Sequence, residues 1–109
     1  MQEASHKICS LTEATVHRAS WKENNETVVF TNGCFDILHE GHLMLLNEAA
    51  SLGGSLIVGI NSDTSVRKLK GKNRPYITEM NRARTLAQFP FVDLVVIFDS
   101  EDPMDILTK

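Results

Sequence analysis

No apolar run in this chain approaches the roughly 20 residues that a membrane-spanning helix requires. The longest, Leu94 to Phe98, is the size of a strand, so a membrane is not an expected partner. The two cysteines, Cys9 and Cys34, are too few for a disulfide framework. They also lack the paired spacing of metal ligands, and no protein-held metal is expected. A reducing, cytoplasmic setting is the default for such a chain. The first residues, Met1 to His6, have neither the basic nor the apolar region of a secretion signal. Positive charge is scarce as well. Eleven Lys and Arg against 14 Asp and Glu leave a net charge of −3, which gives no basic field for nucleic acid. The pattern G-x-G-x-x-G is missing after the first strand-like run, which argues against a dinucleotide oxidoreductase, and no Walker lysine loop points to P-loop chemistry. Internal repeats and low-complexity tracts are absent too.

What is present suits one small domain. The chain has 109 residues, 42% of them apolar, which is enough for an ordinary core. Ser10-Leu11-Thr12-Glu13 has the form of a capping box, and Leu11, Ala14, Arg18 and Trp21 continue a short helix in a lead-in spanning 1–26. Thr27 to Thr31 and Leu56 to Ile60 are β-branched or aliphatic and read as buried strands; Val92 to Phe98 is a third. Between the first two, Leu43, Leu46, Ala49 and Ala50 recur at helical spacing from Gly41 to Leu52, and Gly53-Gly54 ends the helix. Asn61 to Tyr76 reads as a long polar and basic loop, Thr78 caps a helix to about Gln88, and Ser100 to Pro103 opens another. Strands alternating with helices predict an α/β fold with a parallel sheet and right-handed crossovers.

The most informative segment is His39-Glu40-Gly41-His42, just after the first strand and at the head of the first long helix. Imidazoles three residues apart share a helix face, and a helix N-terminus favours anions through its unpaired N–H groups and its dipole. The pair therefore predicts a phosphate-binding site. Ligands of open α/β sheets bind beyond the carboxyl ends of the strands. That places the histidines, the Asn32 to Asp36 turn and the cations Arg67, Lys68, Lys70, Lys72 and Arg74 at one mouth. Asp36 is expected to fasten its turn through backbone N–H groups. Cys34 reads as a small filler rather than a nucleophile, and Trp21 as a packing anchor.

The run from Thr31 to His42 resembles the opening motif of the HxGH nucleotidyltransferases, the cytidylyltransferase-like superfamily. Asn61-Ser62-Asp63, Lys68 to Gly71, Arg74-Pro75 and Arg82 resemble further blocks of that family. Within it, the chain is more similar to the adenylyltransferases that act on heptose 1-phosphate than to glycerol-3-phosphate cytidylyltransferases. The resemblance implies a Rossmann-like three-layer parallel sheet of the HUP type, with the nucleotidyltransferase domain over 27–109. It implies transfer of AMP from ATP (or of CMP from CTP) to a phosphorylated sugar or polyol, with pyrophosphate released. His39, His42 and Lys70 would be catalytic, and Asn32, Gly33, Cys34, Phe35, Gly41 and Arg82 would bind the nucleotide. Asp36 and Lys68 would meet the acceptor. Mg2+ would be bound chiefly through the nucleotide. The family continues into a further strand beside the first and a late Ser/Thr-rich motif. Neither is present here, so a C-terminally truncated polypeptide is expected, with the first strand an open edge and a motive for self-association. A non-catalytic nucleotide-binding fragment is the alternative.

Overall fold

The computed structural model describes residues 5–36 and 40–99. A 3-10 turn at Ser5–Lys7 leads into β1 (Ile8–Cys9) and α1 (Leu11–Glu23). Then follow β2 (Val28–Gly33), α2 (Glu40–Ser51), β3 (Ser55–Asn61), α3 (Asp63–Lys70), α4 (Glu79–Ala87) and β4 (Leu94–Phe98). The helix opening expected at Ser100 lies outside the described residues.

The four strands form one parallel sheet in the order β1-β4-β3-β2. The all-parallel pairing follows from the alternation of strand and helix, because each return to the same end of the sheet needs a crossover. β3 is buried at every position, which accounts for its uninterrupted apolar run; parallel strands covered on both faces show no polar alternation. Leu56, Val58 and Ile60 join Leu46 of α2 and Ala83, Leu86 and Ala87 of α4 in the larger core. Ile57, Leu94 and Val96 pack with Ala14 of α1, and Trp21 and Phe30 lie against them. Gly59 sits where a Cβ would come within 2.9 Å of the Phe30 ring and 3.1 Å of the Phe98 ring, so the bare backbone there lets two aromatic rings close over β3.

The lead-in packs into the same sheet. β1 pairs with β4, and the Lys7 ammonium donates to the Phe89 carbonyl at 3.1 Å. The capping box at the head of α1 is complete: the Glu13 amide donates to Ser10 Oγ and the Ser10 amide to Glu13 Oε1. Asp93, at the foot of β4, accepts the Leu56 amide at 2.7 Å and so ties the start of β3. β2 pairs only with β3 among the described residues and stands at the sheet edge, as expected for the first strand-like run.

One stretch corrects the sequence reading. Residues 63–70 of the expected long loop are helical. Ser62 caps them by accepting the Ser65 amide, and Ser65 and Val66 are buried beneath. With one buried aliphatic side chain and three basic residues in its last turn, the segment has a strongly polar composition that reads as loop. No helix of the described residues is long and apolar enough to cross a membrane.

Candidate functional site

A hollow of about 460 Å³ opens at the carboxyl end of β2, a size usual for small-molecule sites. Asn32 and Gly33 come from the end of β2, and Cys34, Phe35 and Asp36 from the turn that follows. His42 and Leu45 project from the first turns of α2, and Lys70 and Arg74 arrive from the end of α3 and the loop beyond it.

The turn is shaped by one close approach. A Cβ on Gly33 would lie 3.0 Å from the Phe35 ring. Phe35 itself has φ 50°, a left-handed conformation costing a bulky residue about 1–2 kcal/mol. The ring is buried at 7% exposure and meets the His42 imidazole edge-on at 5.6 Å between centroids. Strain in the turn thus sets the ring that supports the histidine. His39 and its two predecessors lie outside the described residues; Gly41 is exposed in the first turn of α2.

Beneath the turn lies Arg82, 2% exposed. Its Nη1 donates to the carbonyls of Cys34 and Asn61, both at 2.7 Å. Its Nε donates to Ile77 at 2.9 Å, and its Nη2 pairs with Asp63 at 2.7 Å. The guanidinium therefore joins the carboxyl ends of β2 and β3 to the heads of α3 and α4. Arg82, expected to bind the nucleotide, is hydrogen-bonded inside the protein and does not line the hollow.

Asp36 has a similar binding task at the rim. At 4% exposure it accepts the Tyr76 and Ile77 amides at 2.8 and 2.9 Å and the Arg74 Nε at 2.7 Å. It fastens the distant 74–77 segment, rather than only its own turn as expected. Burial alone would push its carboxyl up. The Tyr76 amide, the Arg74 guanidinium and the Ile77 amide outweigh that and hold it below the ordinary value of 3.8. Lys68 is exposed and does not line the hollow, although it was expected beside Lys70. Residues two apart on a helix do not share a face. Arg74 lines the site, as expected for a cation of that mouth, and Leu45 lines it without having been named from the sequence. The signal that could have found Leu45 is its place one turn after His42 on the same helix face. Cys34 lines the wall, with Sγ 3.7 Å from Asn61 Oδ1.

An open parallel sheet, a strained turn and a cation-bearing hollow at the strand ends define an α/β domain built for an anionic small ligand. The chain belongs to the cytidylyltransferase-like family, whose model matches residues 30–109. It is 48% identical over 104 residues to the bifunctional protein HldE of Koribacter versatilis, covering 95% of this chain and 21% of that protein. With the HldE of Campylobacter jejuni it shares 55% over 87 residues, covering 80% and 19%. The chain thus spans about a fifth of the length of these curated relatives. A lipopolysaccharide core biosynthesis protein from Thermoplasma volcanium superposes with a TM-score of 0.68 at 31% identity, over 76% of this chain and 66% of that one.

Proposed function

We propose that the hollow is the nucleotide side of a nucleotidyltransferase site, which moves AMP from ATP to a sugar 1-phosphate of the heptose type. An acceptor phosphate oxygen attacks the α-phosphorus, a new P–O bond forms, the bond to the bridging oxygen breaks, and pyrophosphate leaves with that electron pair. No covalent enzyme intermediate is needed, so catalysis consists of alignment and charge stabilisation.

His42 and Lys70 hold the triphosphate, and the family resemblance assigns His39 the same task. Asn32, Gly33, Cys34 and Phe35 form the wall against the nucleoside, and the backbone at Gly41 lies at the anion-attracting head of α2. Asp36 and Arg82 act from behind, one securing the rim and the other the floor. Among the described residues no group of three His, Cys, Asp or Glu side chains could hold a metal. A magnesium ion would be bound chiefly through the nucleotide and would supply charge neutralisation there.

The observation that carries this reading is the convergence of Gly33, Cys34, His42 and Lys70 on one hollow at the strand ends. The preference for ATP and a heptose phosphate rests on the sequence resemblance to adenylyltransferases that act on heptose 1-phosphate. The test is pyrophosphate release from magnesium–ATP with heptose 1-phosphate, expected to disappear in His42→Ala. Faster turnover of CTP with glycerol 3-phosphate would transfer the assignment to a cytidylyltransferase. Nucleotide binding without release would make the chain a binding module.

A further inference from the structure

Arg74 has no role in the reading above, yet three parts of its planar guanidinium have distinct surroundings. Nε donates to Asp36, whose side chain is 1% exposed. The guanidinium carbon lies over the Tyr76 ring, 4.5 Å from its centroid. The terminal amines have no hydrogen-bond partner among the described residues. The side chain is 25% exposed and lines the hollow beside Lys70. A guanidinium held at its Nε and against the ring has its terminal edge left, the fork that matches two oxygens of a single phosphate. Asp36 does not neutralise that fork outright, because its charge is shared with the Tyr76 and Ile77 amides.

We infer that Arg74 is a phosphoryl ligand of this site, gripping one phosphate with its terminal amines, and that Asp36 and Tyr76 are its positioning residues. The inference rests on the nucleotidyltransferase reading and adds a ligand to it. The phosphate belongs either to the nucleotide's tail or to the acceptor; both offer the same oxygen geometry.

Calorimetric titration of the intact protein with magnesium–ATP, and separately with heptose 1-phosphate, tests this. Arg74→Ala is expected to weaken one of the two ligands by about tenfold or more, and the affected ligand identifies the phosphate. Arg74→Lys should lose nearly as much, since an ammonium cannot donate a planar fork while stacked and anchored. Tyr76→Phe, which keeps the ring face, should bind as wild type, whereas Tyr76→Ala should bind several-fold more weakly. Arg84→Ala, a charge removed elsewhere on the surface, should change neither ligand. Melting curves of Arg74→Ala and Tyr76→Ala confirm that each is folded. Wild-type binding of both ligands by Arg74→Ala or by Arg74→Lys would overturn the inference. If His42→Ala loses ATP while Arg74→Ala binds normally, the nucleotidyltransferase reading stands and this inference alone falls. Binding of neither ligand by the wild type would remove both.

Discussion

Arg82 and Arg74 both attach to the turn after β2 and to the 76–77 segment, and they are opposites. Arg82 is 2% exposed, and each of its guanidinium nitrogens is bonded to protein, reaching three carbonyls and Asp63. Arg74 has a quarter-exposed side chain, one hydrogen-bonded nitrogen and a ring beneath it. A cation with every donor satisfied inside belongs to the scaffold, and one with an open edge on a cavity wall is available to a ligand. Burial and donor saturation, not charge, separate the two.

The largest expected effect breaks that comparison if it fails. Arg82→Ala strips donors from Cys34, Asn61 and Ile77 and leaves Asp63 without its cation. It should destabilise the fold by about 3–5 kcal/mol, read from chemical denaturation. Arg74→Ala leaves Asp36 its Tyr76 and Ile77 amides and should cost clearly less. Equal losses would mean that both arginines are scaffold. Next in size, His42→Ala should lower kcat by about a hundredfold or more while the unfolding midpoint stays close to wild type, placing the histidine with the ligand-facing group.

The acid limb of stability sharpens the contrast further. Asp36 has a folded-state carboxyl held below its ordinary value of 3.8. Its stabilisation is therefore present above that value and is lost as pH falls through the lower folded-state value. Denaturation measured from about pH 5 down to about pH 2 should show stability falling with pH in the wild type. The slope should be shallower in Asp36→Asn. An unchanged slope would mean that Asp36 does not hold the 74–77 segment. The smallest effect lies far from the hollow. Ser10→Ala opens the capping box of α1 and should cost about 1 kcal/mol, with nucleotide affinity untouched.

Much of this was legible in the chain itself. The runs at Thr27 and Leu56 and the cap at Thr78 mark elements that the structure contains, because β-branched density and capping hydroxyls act locally. The Asn32 to Asp36 turn and His42 reach one hollow because parallel topology sends every strand end to the same side. Two other features are set by distant partners and leave no local trace. β1 is two residues long and exists only because β4 pairs with it. Arg82 looks like any surface arginine until the carbonyls of Cys34 and Asn61, 48 and 21 residues away, close on it. α3 was hidden for a different reason: its composition is strongly polar and basic, so the segment reads as loop although its few apolar residues fall at helical spacing.

The most direct measurement is a crystal structure of the intact protein with ATP and magnesium. Phosphoryl oxygens within hydrogen-bonding distance of the His42 imidazole and the Lys70 ammonium, with Arg82 still bonded to the Cys34 and Asn61 carbonyls, is the result this account predicts. A nucleotide bound elsewhere, leaving the hollow between Gly33 and Lys70 filled only by water, would contradict it.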